Sequence, residues 1–311
     1  MNPRQLRLAT RGSELARTQA QGVAGRLAAE GRAEPELVIV KTTGDRRQDV
    51  LLGEAGAIGL FTREVQEALL DRRADFAVHS FKDLPSEPAE GLILAAVSER
   101  ADPRDLLLIR TESCDPARAP LPVREGARIG TSAARRAAFV RALAPDCEPV
   151  LLRGNVPTRL RKLREGRYDA ILLAAAGAQR LGLDLDGLVS HAIDLDLWPC
   201  SPGQGALALE CRADDPDTAR LLAGIGDPGT TEAVSAERGL LRRLGGGCGL
   251  PLGAFAEYRE GLWHLDAAFG PTPDRPAAPL LSRPRVQAQG IPELIEKALD
   301  VLGTPAGEHV P

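Results

Sequence analysis

The stretch 6-LRLATRGSELARTQAQGVAGRLAAE-30 sets the reading of the chain. LRLAT (6–10) alternates as a strand does, and an Arg-Gly-Ser turn follows it. Ser13 then stands just before a run with helical spacing, where its hydroxyl can cap the first turn. The same order of strand, arginine-bearing turn and helix returns at 127-ARIGTSAARRAAFVRALA-144. It returns again at 150-VLLRGNVPTRLRKLREG-166, where Pro157 sits near the helix start. Strands alternating with helices predict an α/β fold. Ligands in open α/β sheets bind at the carboxyl ends of the strands, so two such units are expected to face each other across a cleft.

The remaining pattern fills in these units. LVIV (37–40), DFAVHS (75–80), LILAAV (92–97), DLLLI (105–109), YDAILLAA (168–175) and GALALE, within 204–211, read as strands. Thr62 is placed to cap REVQEALLDRR. A helix over Thr231–Arg243 stops at Gly245–Gly247. Beyond it LGAFAEY and LWHLDAAF predict a hairpin joined at Arg259–Gly261, with a third strand near PLLSR (279–283) and a closing helix IPELIEKALDVL. The expected division is 1–100 with 200–222, then 101–199, then a smaller α+β domain over 223–311.

Composition narrows the function. Arginine outnumbers lysine 35 to 4, yet the net charge is −4 and only 3% of residues are aromatic. That balance excludes general nucleic-acid binding, which needs basic surface and stacking platforms. There is no leader-like segment and no apolar run of membrane length, so a cytoplasmic protein with no membrane partner is expected. The five cysteines (Cys114, Cys147, Cys200, Cys211, Cys248) contain no CxxC pair, so no metal site is predicted. The plain reading of Cys114, Cys147 and Cys211 is as small buried hydrophobes.

Arginines in 10-TRGS-13, 130-GTSAARR-136, 152-LRGNVPTRL-160 and 179-QRLG-182 are the candidate anion site. In the first three, guanidinium forks, free backbone N–H groups and a helix start converge, which suits carboxylates or phosphates. No GxxxxGK[ST] or GxGxxG motif accompanies them, which disfavours a nucleotide. In 78-VHSFKDLP-85 a strand runs into Lys82 and Asp83. Chemistry alone leaves Asp83 open between a catalytic carboxylate and a surface ion pair. His79 reads as a satisfied core histidine. Cys248 lies in 244-LGGGCGLP-251, accessible but next to the negative end of a helix and without an adjacent histidine. An attachment point suits it better than a turnover nucleophile.

Taken in order, LRLATRGSELA, TTGD (42–45), GLFTREVQEALL (59–70), ADFAVHSFKDLP (74–85), DPRD (102–105), GTSAARR, LRGNVPTRL, YDAILLAAAGAQRLGL, PGQGALALECR (202–212) and ERGLLRRLGGGC resemble the porphobilinogen deaminase (hydroxymethylbilane synthase) family. The resemblance implies two lobes of the type II periplasmic-binding-protein kind around a cleft, plus a third domain carrying the cofactor loop. It implies a monomer that condenses four porphobilinogen molecules into hydroxymethylbilane with loss of four ammonia, on a dipyrromethane cofactor held by a thioether to Cys248. Carried over residue by residue, Asp83 is the catalytic carboxylate. Ser80, Lys82, Asp83, Thr131, Ser132, Arg135 and Arg136 hold the cofactor. Arg11, Ser13, Arg153, Arg159, Arg180 and Gln204 bind substrate.

Two positions depart from the family pattern. Ile58 stands where a lysine is common, and Ala133 where GTSSLRR has its second serine. Neither is expected to abolish activity. The rival readings are a two-lobed anion-binding protein, which leaves Asp83 and the GGC loop without a role, and a different transferase with a cysteine nucleophile.

Overall fold

A computed structural model describes residues 5–41, 62–246, 249–270 and 284–302. TTGD, Ile58, PLLSR and Cys248 lie outside the described residues. The chain divides into two compact units, one of residues 1–103, 176–183 and 203–231, the other of residues 104–175, 184–202 and 232–311.

The first unit is built on five strands: β1 (Arg7–Arg11), β2 (Glu36–Val40), β3 (Phe76–Ser80), β4 (Leu92–Val97) and β10 (Leu207–Arg212), in the order β2-β1-β3-β10-β4. β1 pairs in parallel with β2 and β3, and β10 runs antiparallel to both β3 and β4. The helix α1 (Glu14–Ala29) begins as the sequence predicts, with Ser13 Oγ accepting from Ala16 N at 3.3 Å. It buries Gln19, Ala20, Val23 and Leu27, one stripe at helical spacing. A second helix, α2 (Arg63–Leu70), starts after Thr62, whose hydroxyl makes no capping bond. Thr62 itself has a helical ψ of −27°, whereas a capping residue stands in the extended region.

The second unit repeats the sheet. Its strands are β5 (Asp105–Arg110), β6 (Arg128–Thr131), β7 (Glu148–Leu151), β8 (Ala170–Ala174) and β9 (Leu188–Ala192), in the order β7-β6-β8-β5-β9. β6, β7 and β8 are parallel, and β5 is antiparallel to its two neighbours. The position filled by β10 in the first sheet is filled by β5 in the second. The chain therefore crosses after β4 to supply the second sheet's reversed strand, and returns after β9 to supply the first sheet's. This reciprocal pattern is that of type II periplasmic-binding-protein lobes, the fold class expected from the sequence.

Helices α3 (Ala134–Leu143) and α4 (Val156–Arg164) follow β6 and β7, and the short α5 (Ala175–Arg180) follows β8. The core under α3 gathers Leu107, Ile109, Ile129, Phe139, Leu172 and Trp198, with Phe139 and Trp198 edge to face at 5.1 Å. After α6 (Pro216–Ala223), α7 (Pro228–Arg243) ends in a left-handed Gly245 at φ +75°, and Gly246 N donates to Leu241 O. That is the glycine stop that the sequence predicts. A three-stranded antiparallel sheet follows, β11 (Leu252–Arg259), β12 (Leu262–Phe269) and β13 (Arg285–Ala288), and α8 (Ile291–Leu302) packs with α7 on it. The β11–β12 turn is made by Glu260 and Gly261, both at positive φ, as a two-residue hairpin requires.

Candidate active site

The register of the first sheet brings one group of predicted residues to one edge. β1 and β3 are parallel, so Arg11 with Ser13 and Ser80 with Asp83 leave the sheet at the same end. β10 is antiparallel and pairs Leu207 with Ser80, which puts Gln204 at that end too. A single 3-10 turn, Phe81–Asp83, follows β3. Phe81 is its buried anchor, with its N–H on Ala206 O, and Asp83 is exposed beyond it. Lys82 Nζ donates to Gln204 Oε1 at 3.0 Å, and Gln204 Nε2 donates to Pro103 O at 2.8 Å. Arg180, at the end of α5, donates to Gly205 O at 2.6 Å. Burial pushes its guanidinium below the ordinary arginine value. Gln19 binds the Ser80 hydroxyl at 2.9 Å, which explains a glutamine in the buried stripe of α1.

Behind this edge His79 is buried, with Nε2 3.1 Å from Glu210 Oε2, and Gln66 donates to both oxygens of Glu210. His79 is thus a satisfied core histidine. Its partner was not legible because Glu210 is 131 residues away in the chain.

In the second unit Thr131, Ser132 and Arg153 stand at or just after the carboxyl ends of β6 and β7. Thr131 Oγ1 accepts from Ala133 N at 3.2 Å. Arg159 spans two groups, with Nε on Gly154 O at 2.7 Å and Nη2 on Ser132 Oγ at 3.0 Å. Lys162 Nζ donates to Arg153 O. Asn155 caps α4 by accepting from Thr158 N at 3.0 Å. Gly154 precedes it at φ +113°, and a Cβ there would stand 2.6 Å from Thr158 Cγ2. Gly154→Ala is therefore expected to cost about 1–3 kcal/mol and to displace Arg159 from its carbonyl; urea denaturation reads the loss.

Arg135 and Arg136 are both buried. Arg135 Nη2 and Arg136 Nη2 reach the two oxygens of Asp105 at 2.5 and 2.7 Å. Their other nitrogens reach Pro199 O at 2.9 Å and Leu172 O at 3.0 Å. Trp198 Nε1 is a third donor to Asp105, at 2.7 Å. Burial pushes Arg135 below its ordinary value, with the Asp105 charge opposing that shift. α3 opens at Ala133 with no side-chain cap. Serine here is expected to stabilise the chain by about 1 kcal/mol, read by the same denaturation, because it supplies the missing acceptor. No change would place that N–H cluster on another acceptor.

Among the other cysteines, Cys147, Cys200 and Cys211 are buried. Burial raises the Cys211 thiol to about 11 and raises Cys147 as well. Cys114 is only partly buried, packed at the rim of the core beneath α3, so it departs from the expected buried position. Native alkylation at neutral pH should therefore spare Cys147, Cys200 and Cys211; modification of any of these three before unfolding would contradict their burial.

Residues 6–220 match the porphobilinogen deaminase dipyromethane cofactor binding domain, and residues 231–275 match the C-terminal domain of the same enzyme. The chain belongs to the porphobilinogen deaminase family. A porphobilinogen deaminase of Syntrophobacter fumaroxidans is 46% identical over 262 residues, 84% of this chain and 82% of that protein. The porphobilinogen deaminase of Syntrophus aciditrophicus is 42% identical over 308 residues, covering 98% of this chain and 94% of its own length. A periplasmic substrate-binding protein of Coxiella burnetii aligns with 75% of the chain at 14% identity and a TM-score of 0.41; the strand order above, not this likeness, carries the fold.

The porphobilinogen deaminase cofactor carries carboxylates, and the residues present suit such a group. Two guanidiniums share one carboxylate, and Arg136 Nε is buried with no hydrogen-bond partner among the described residues. An arginine cluster with surplus charge and an open donor is chemistry for a further anion. Reasoning from sequence missed Asp105, Trp198 and Gln19. DPRD was visible as a motif, but nothing local says which side chains its second aspartate meets.

Proposed function

We propose that this chain is a hydroxymethylbilane synthase, which condenses four porphobilinogen molecules head to tail into hydroxymethylbilane. The carrying observation is the shared sheet edge of the first unit, where Asp83 stands with Arg11, Ser80, Lys82 and Gln204. Each condensation forms one carbon–carbon bond and breaks the aminomethyl carbon–nitrogen bond, and the displaced ring proton leaves as ammonia departs. Asp83 accepts hydrogen bonds from pyrrole N–H groups and stabilises the positive charge that develops on the substrate ring. Arg11, Ser13, Arg153, Arg159, Arg180 and Gln204 bind substrate carboxylates and orient the ring. Lys82 is held by Gln204, which fixes the ammonium at the same sheet end that carries Asp83.

Ser80, Lys82, Asp83, Thr131, Ser132, Arg135 and Arg136 would hold the dipyrromethane, with Cys248 as its thioether anchor. When bound, that group supplies the free pyrrole carbon from which the chain grows. The three-domain division (1–100 with 200–222, 101–199, 223–311) belongs to this proposal, supported by three sheets, each with apolar residues of its own. So do a monomeric state, a cytoplasmic location and the absence of nucleic-acid and membrane partners. Among the described residues no helix is long and apolar enough to cross a membrane. The test is stoichiometry: with porphobilinogen as sole substrate, ammonia and tetrapyrrole should appear at four to one. Ammonia without tetrapyrrole, or neither product, would overturn the assignment.

A further inference from the structure

Asp105 is the first residue of β5 and pairs in register with Ala174, so it lies at the carboxyl end of the second sheet. Strand alternation puts it on the face of Leu107 and Ile109, which share the core with Phe139 of α3. A fully buried carboxylate on that face needs partners, and its donors include Arg135, Arg136 and the Trp198 indole. The two arginines occupy the first turn of α3, the positive end of the helix, where cations are disfavoured. One carboxylate against two guanidiniums leaves one positive charge uncompensated among the described residues. The uncapped helix start and the open Arg136 Nε add to that surplus.

We propose that Asp105 is a positioning residue for cofactor assembly. It neutralises one guanidinium and locks both forks, each also pinned by a carbonyl, so that the remaining charge meets a cofactor carboxylate without rearrangement. This inference rests on the proposed function. It adds a residue that touches neither cofactor nor substrate and acts through Arg135 and Arg136. Trp198 shares the carboxylate but belongs to the core, so it separates positioning from stability.

The experiment follows assembly of the dipyrrole on apo-protein incubated with porphobilinogen, read as the intact-mass increase, alongside the thermal midpoint of each variant. Asp105→Asn removes the charge, and Asp105→Glu keeps it but displaces it by one methylene. Whichever folds is expected to load about tenfold to a hundredfold more slowly than wild type. Trp198→Phe removes the indole donor and leaves both guanidiniums clamped; it should lower the midpoint yet load within about twofold of wild type. Loading of the Asp105 variants at the wild-type rate would overturn the proposal. Equal slowing in Trp198→Phe would do the same, as would failure of both Asp105 variants to fold while Trp198→Phe folds. A wild-type chain that never gains the mass would sink the proposed function instead, which keeps the two failures apart.

Discussion

Asp83→Asn is expected to give a folded chain whose turnover falls by a factor on the order of 10³ or more. The fold should survive because Asp83 is exposed, and exposed substitutions usually change stability by less than about 0.5 kcal/mol. The turn around it is held by other groups, the Phe81 side chain and N–H and the Leu84 N–H on Phe81 O. Asparagine keeps the size of the side chain and a carbonyl acceptor, but loses the negative charge. If stabilising a developing cation is the role, the loss falls on kcat, with KM changing little. Steady-state ammonia release measures it. Turnover within about tenfold of wild type would remove Asp83 from the chemistry and return it to a surface carboxylate.

The second large effect is expected at Cys248. Cys248→Ala should fold, carry no dipyrrole and form no hydroxymethylbilane, because a growing chain without an anchor diffuses away before completion. The physical argument is effective concentration: a tethered acceptor meets each new substrate at millimolar local concentration or above, on the order of what short linkers give. Product assay after incubation with porphobilinogen decides this. Full-length product at the wild-type rate would mean that another residue, or no covalent anchor, serves the reaction.

The fold was legible where local signals suffice. LRLATRGSELA specifies a strand, a turn and a capped helix within a dozen residues, and β1, Ser13 and α1 fall there. IPELIEKALDVL becomes the helix Ile291–Leu302 without a shift at either end. The candidate site was legible only in part. Residue types at turns showed where anions could bind, but not which arginines are already paired. Asp105 lies 30 and 31 residues from the arginines it holds and 93 from Trp198, so its role comes from packing and from no sequence period. Thr62 shows the opposite failure. Its type and place suit a cap, but its backbone is already helical. Gln19 is the third case, a polar residue on a buried helix stripe whose reason is a hydroxyl 61 residues on.

On the proposed function, the product grows on a dipyrrole fixed to one thiol, Cys248. Intact mass of the purified wild-type protein, compared with Cys248→Ala, tests it most directly. The wild-type mass is expected to be raised by one dipyrrole, with a positive reaction with Ehrlich's reagent, and Cys248→Ala is expected to show neither feature. An unmodified wild-type chain that gives no reaction with that reagent, even after incubation with porphobilinogen, would contradict it.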